Sequence, residues 1–114
     1  MDIVEAKSFA DSKIKEHGLA AKGWKVVFNE NLRVSLGRCH YANKTIEINP
    51  AYVKTNNQTL VFDTILHEIA HAMTDPSVRH GAEWKAICVR IGAVPKASWK
   101  DKKSGLVTYY KPKW

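Results

Sequence analysis

The chain has 114 residues, of which 45% are hydrophobic and 25% are charged. This length suits one domain with a single core, and this composition is that of an ordinary globular protein, which excludes both extended disorder and a disulfide-dense scaffold. The net charge of +7 at pH 7 favours an anionic partner.

The cysteine content and the first residues bear on the cellular compartment. The two cysteines, Cys39 and Cys88, are too few for a disulfide framework or a four-cysteine zinc site, so we expect both to be reduced and partly buried. Residues 1–10 mix charged and apolar side chains, unlike a signal peptide, and no apolar run reaches membrane-spanning length. We therefore expect a protein without membrane association in the cytoplasm, or in the host-cell cytoplasm if the source is viral. We also expect a monomer.

The first half of the chain predicts one helix and three strands. Apolar residues recur at helical spacing from Ile3 to His17, and Gly18 is a plausible helix stop. Short runs of alternating or β-branched residues then predict strands at 24–29, 34–41 and 45–48. Asn49 and Pro50 would end the third strand, because proline cannot donate to a sheet ladder.

The second half predicts two helices. The first runs from about Thr59 to Met73, with Asn56, Asn57 or Thr59 as its N-cap and Asp75-Pro76 as its end. The second runs from about Gly81 to Ile91 and is capped by Gly92. Residues 106–110 would add a further strand. We expect an α+β fold with a small sheet of three to four strands, in which residues 1–95 form the domain core and residues 96–114 a basic, aromatic tail.

The helix from Thr59 contains the motif His67-Glu68-Ile69-Ala70-His71, which has the form HExxH. Side chains four residues apart lie one turn apart on the same face of a helix, so both imidazoles can bind one ion. Zinc suits imidazole ligands, and a catalytic zinc keeps a fourth position for water. Glu68 is placed to accept a proton from that water as general base.

A helical wheel predicts that this helix lies between the core and a cleft. One face, centred on Phe62, gathers apolar residues that we expect in the core, and the opposite face carries both histidines. The core face comprises Phe62, Ile65, Leu66, Ile69 and Met73, and the cleft face comprises Leu60, Thr64, His67 and His71.

A third ligand is expected from the following helix. His80 lies one turn before Trp84, on the inward stripe of that helix, and is the preferred candidate. Glu83 is the alternative, because some zinc peptidases draw a glutamate from this position, and Asp75 is a weaker one.

The sequence HEIAHAM at 67–73, followed by HGAEWK at 80–85, resembles the SprT-like family. The resemblance extends to the segment Gly37-Arg38-Cys39-His40-Tyr41 and to a strand ending in Ile48-Asn49-Pro50. It implies a minimal zincin-like fold, zinc bound by His67, His71 and His80, and Glu68 as the base of a peptidase that acts on DNA-bound or DNA-crosslinked proteins.

Longer members of this family carry a zinc ribbon with paired cysteines after the catalytic core. No cysteine follows Cys88 here, so we expect that module to be missing or reduced to residues 99–114. The difference concerns DNA targeting and substrate choice rather than the metal ligands.

The tail combines positive charge with aromatic rings. Lys100, Lys102 and Lys103, which we call the tail lysines, can neutralise phosphates, while Trp99 can stack on an unpaired base. Single-stranded DNA or a DNA–protein complex is therefore an expected partner beside the protein substrate. The alternative is a solvated lysine face whose aromatic side chains pack on the core.

An oxyanion-stabilising residue cannot be chosen from spacing. The candidates are Tyr41, Tyr109, Tyr110, His40 and Arg79.

Three functions follow from the sequence: a zinc peptidase working near DNA, a zinc hydrolase of another bond, and a nucleic-acid-binding module with structural zinc. The third is disfavoured, because a structural site has no need of Glu68.

Overall fold

The computed structural model describes residues 1–32 and 36–96, which form four α-helices and a three-stranded β-sheet. The elements in chain order are α1 (Ile3–Glu16), β1 (Lys25–Phe28), β2 (Gly37–His40), β3 (Thr45–Ile48), α2 (Pro50–Thr55), α3 (Gln58–Ala72) and α4 (Ala82–Ile91). This arrangement confirms the predicted α+β class. The predicted strand at 106–110 and the tail lie outside the described residues.

The sheet has the order β1-β3-β2, with β3 at its centre. β1 runs parallel to β3, while β2 and β3 form an antiparallel hairpin in which Gly37 pairs with Ile48 and His40 with Thr45. Ile46 and Ile48 on β3 are fully buried. The hairpin places β2 at one edge of the described sheet, beside α3.

α3 is the central element, in contact with α1, α4, β2 and β3. Its N-cap is Asn57, whose side chain accepts a hydrogen bond of 3.0 Å from the Leu60 amide. The predicted core face was partly wrong: Phe62 is half-buried and stacks on Phe9 of α1 with ring centroids 3.6 Å apart, whereas Leu60 and Thr64 are buried. The reason is that neighbouring elements cover α3 on several sides, so that burial does not follow one stripe.

The helix α2 was not predicted. Asn49 and Pro50 do end β3, but Asn49 is also the N-cap of α2, accepting a 3.0 Å hydrogen bond from the Ala51 amide, and Pro50 occupies its first turn. Tyr52 and Val53 anchor this six-residue helix in the core. No helix within residues 1–32 and 36–96 has the length and apolar character needed to cross a membrane.

Candidate metal centre

Three imidazole rings converge between α3 and the segment that precedes α4. His67 and His71 lie one turn apart on α3, and their ring centroids are 5.0 Å apart. The Nε2 atom of His80 lies 3.0 Å from Nε2 of His71 and 3.4 Å from Nε2 of His67. One ligand nitrogen from each residue falls within 4.8 Å of the other two. The structure therefore brings together the three histidines that the sequence analysis singled out.

The spacing of these nitrogens fits a shared metal ion. Tetrahedral zinc with Zn–N bonds of about 2.0–2.1 Å holds its ligand nitrogens roughly 3.3–3.4 Å apart. Separations of 3.0 and 3.4 Å between the Nε2 atoms are close to that value. Three imidazoles also form a donor set that suits zinc. The site is thus chemically and geometrically suited to one zinc ion.

The protonation state of the ligands also favours metal binding. Burial lowers the pKa of His67 well below its usual value, and the neighbouring His71 and His80 lower it further. Burial likewise lowers the pKa of His71 to about 3, with His80 contributing. Burial and the charge of Lys85 both lower the pKa of His80. Neutral imidazoles bind metals without first losing a proton, so protons compete little for this site at neutral pH.

His80 lies in a tight turn rather than on the helix where the sequence analysis placed it. α4 begins at Ala82 with Gly81 as its N-cap. The Gly81 amide donates a 2.9 Å hydrogen bond to the Val78 carbonyl, closing a turn over Arg79 and His80. Arg79 has φ 52° and ψ −121°, the conformation of the first central residue of a type II′ turn, where glycine is preferred. A tight turn directs His80 toward α3.

His67, His71 and His80 are called the imidazole cluster below. Glu68 follows His67 on α3 and is fully buried. Neither of its carboxylate oxygens has a hydrogen-bond partner among the described residues. Burial therefore raises its pKa well above the usual value. Gly37 of β2 lies against it, since a Cβ atom added to Gly37 would approach Cγ of Glu68 to 3.2 Å. An unpaired buried carboxyl group is costly, which makes Glu68 a candidate functional residue.

The alternative ligands lie elsewhere. Glu83 is exposed on the first turn of α4 and is not part of the imidazole cluster. Asp75 caps the short 3₁₀ turn Pro76–Val78, where its Oδ1 accepts hydrogen bonds from the Ser77 amide at 2.9 Å and from the Ser77 hydroxyl at 2.7 Å. These hydrogen bonds lower the pKa of Asp75. Its side chain therefore has a local structural role.

The candidate oxyanion-stabilising residues within the described part of the chain lie in different surroundings. The Tyr41 hydroxyl donates a 2.8 Å hydrogen bond to the His71 carbonyl, which ties the β2–β3 hairpin to the end of α3. His40 pairs with Glu47, with 2.6 Å between its Nε2 and a carboxylate oxygen. Arg79 is exposed beside His80. Tyr109 and Tyr110 lie outside the described residues, as do Trp99 and the tail lysines.

Two residues that contact the site, Gly37 and Trp84, were not assigned to it from the sequence. Gly37 stands within the Gly-x-Cys-x-Tyr segment, but only the fold shows that it meets Glu68. Trp84 was identified as an inward residue of the second helix, whereas the structure places its ring against all three imidazoles. The sequence signal for this contact was the position of Trp84, four residues after His80, since residues at that spacing lie one helical turn apart.

Comparison with known proteins gives one family. The model of the SprT-like family matches residues 6–104. Germ cell nuclear acidic-1 protein of Caenorhabditis elegans is 36% identical over 81 residues, which is 64% of this chain and 15% of that protein, so the chain spans a small part of this relative. The crystal structure of the metallopeptidase zymogen of Pyrococcus abyssi abylysin is 24% identical, with 75% of this chain and 90% of that chain covered and a TM-score of 0.47. Since the family match covers most of its length, the chain belongs to the SprT-like family.

Proposed function

We propose that this chain is a zinc-dependent metallopeptidase in which His67, His71 and His80 hold the metal and Glu68 is the general base. The observation that carries this proposal is the position of Glu68. Its carboxyl group is fully buried and has no hydrogen-bond partner in the described chain, yet it directly follows one of three converging imidazoles. A structural metal site needs no such group.

The residues divide the chemistry between them. His67, His71 and His80 would hold the zinc ion, which would supply a bound water of lowered pKa. Glu68 would accept the proton of that water at a carboxylate oxygen and would pass it to the leaving amine. Burial raises the pKa of Glu68 above its usual value, which favours its uptake of that proton.

We further propose that the substrates are proteins associated with DNA. The net charge of +7 supports contact with a polyanion. The resemblance to the SprT-like family, whose model the chain matches, implies substrates that are bound or crosslinked to DNA. In this proposal the tail lysines and Trp99 bind single-stranded DNA and bring the active site to proteins held there. The peptidase chemistry does not depend on this arrangement, so the two parts can be tested separately.

The variant Glu68→Gln tests the proposed chemistry. Glutamine has nearly the same shape but cannot accept a proton, so zinc should be retained while hydrolysis falls by about 10²- to 10⁴-fold. Zinc content and cleavage of an unfolded protein such as casein would be measured together, with and without single-stranded DNA. Glu83→Gln is the matched control, since it makes the same change at an exposed residue on α4.

Three results would contradict the proposal. Equal peptide cleavage by the wild type and Glu68→Gln would remove Glu68 from the mechanism. A wild type that binds zinc, cleaves no protein under either condition and hydrolyses another ester or amide would make it a zinc hydrolase of a different class. Zinc binding without any hydrolysis would instead favour a structural metal.

A further inference from the structure

Trp84 on α4 touches all three imidazoles of the candidate centre. Its ring centroid lies 4.7 Å from that of His67, 5.1 Å from that of His71 and 4.7 Å from that of His80. The His71 ring is stacked nearly parallel to it, with 25° between the planes, whereas the other two meet it edge-on. Trp84 itself is fully buried. One aromatic ring therefore packs against all three candidate ligands.

We propose that Trp84 is a positioning residue of the metal centre, an inference that rests on the zinc site proposed above. An imidazole side chain turns about two bonds, so its nitrogen points at a metal only if neighbouring groups hold the ring. The indole contacts limit that rotation for each ligand. The ligand nitrogens are thereby held close together before an ion arrives, which lowers the cost of ordering them on binding.

The same residue links the two segments that supply ligands. Its Nε1 donates a long hydrogen bond of 3.5 Å to the His67 carbonyl on α3. Trp84 also follows His80 by four residues and lies in the first turn of α4, which begins two residues after His80. Packing of this ring against α3 therefore positions the third ligand relative to the other two.

A positioning role differs measurably from an ordinary core role. Loss of a core tryptophan lowers stability but leaves the affinity of an intact metal site unchanged. Loss of a residue that orients ligands typically weakens metal binding by about 10- to 100-fold. It also changes the spectrum of a bound transition ion, because the coordination geometry becomes looser.

The experiment compares Trp84→Leu and Trp84→Phe with Trp24→Phe. Trp24 is a matched control, since it is also buried and its ring packs edge-on against Tyr41 with centroids 6.0 Å apart. Zinc affinity would be measured by competition with a chelator, the visible absorption of the cobalt(II)-substituted protein would be recorded, and thermal unfolding would be followed without metal.

We expect Trp84→Leu to bind zinc about 10- to 100-fold more weakly than the wild type and to show an altered cobalt spectrum. Trp84→Phe should lie between the two, because it keeps a smaller ring. Trp24→Phe should lose stability but keep the wild-type affinity and spectrum.

The inference is overturned if folded Trp84→Leu binds zinc as tightly as the wild type with the same cobalt spectrum. If Trp84→Leu does not fold, Trp84→Phe decides, and a wild-type affinity and spectrum in that variant would overturn the inference equally. A wild-type protein that binds neither zinc nor cobalt would instead refute the proposed metal centre, which separates that failure from the role of Trp84.

Discussion

Gly37→Ala should impair catalysis through a direct contact with Glu68. An added Cβ atom at Gly37 would lie 3.2 Å from the Glu47 carbonyl oxygen, from Cδ1 of Ile48 and from Cγ of Glu68. Ordinary contacts between carbon atoms begin at about 3.5 Å, so relief of these contacts requires the neighbours to move by a few tenths of an ångström, roughly 0.3–0.5 Å. The Glu47 carbonyl belongs to the central strand, whereas no hydrogen bond within the described residues holds the Glu68 carboxyl group, so much of this movement should fall on Glu68.

The magnitude follows from two effects. Overpacking a core position costs about 1–3 kcal/mol, and each 1 kcal/mol lowers Tm by roughly 4 °C or more in a domain of this size. A 1 Å displacement of a catalytic group can cost about 100-fold in rate, so a shift of roughly 0.3–0.5 Å should cost about 4- to 10-fold if the loss is exponential in distance. We therefore expect kcat to fall by this factor while zinc affinity is unchanged.

The assay is peptide hydrolysis at a temperature well below Tm, with zinc content measured in parallel. Gly18→Ala is the control, because Gly18 has φ 78° and no atom within 4 Å of an added Cβ. That variant should lose about 1–2 kcal/mol from backbone strain alone and keep its kcat. A wild-type kcat for Gly37→Ala, or an equal fall in both variants, would refute the reasoning.

Two further predictions concern the third ligand and the tail. His80→Ala should weaken zinc binding sharply in a chelator competition, whereas Glu83→Gln should not, and the reverse result would make the glutamate the ligand. Replacing the tail lysines by alanine should lower the salt slope of single-stranded DNA binding by roughly 0.7 for each phosphate that is no longer neutralised, and intrinsic peptidase activity should be unchanged. Trp99→Ala should cost about 1–3 kcal/mol of binding with little change in that slope, and the absence of any effect in both tail variants would leave the tail a solvated face.

The features predicted well from the sequence are those that depend on local spacing. The helix carrying HExxH was expected from Thr59 to Met73 and is observed as Gln58–Ala72. Helical geometry alone places His67 and His71 one turn apart, so their proximity required no knowledge of the fold. The end of α4 at Gly92 was also predicted correctly, because glycine readily adopts the left-handed conformation that ends many helices. Gly92 has φ 94°.

The features that were missed depend on contacts between distant segments. The close approach of Gly37 to Glu68 is set by the docking of β2 on α3, which no periodicity encodes. The burial of α3 on several sides follows in the same way from the packing of its neighbours. The helix α2 has six residues, too few for a periodic pattern, although Asn49 and Pro50 form a recognisable helix start.

The metal content of the purified protein tests the proposed centre most directly. We predict about one zinc per chain in the wild type after dialysis against metal-free buffer, measured by elemental analysis, and loss of that zinc in both His67→Ala and His71→Ala. His40→Ala is the matched control, since this histidine pairs with Glu47 outside the imidazole cluster, and it should keep its zinc. Full zinc occupancy in both cluster variants, or a wild type that binds no zinc when it is supplied, would contradict the proposed metal centre.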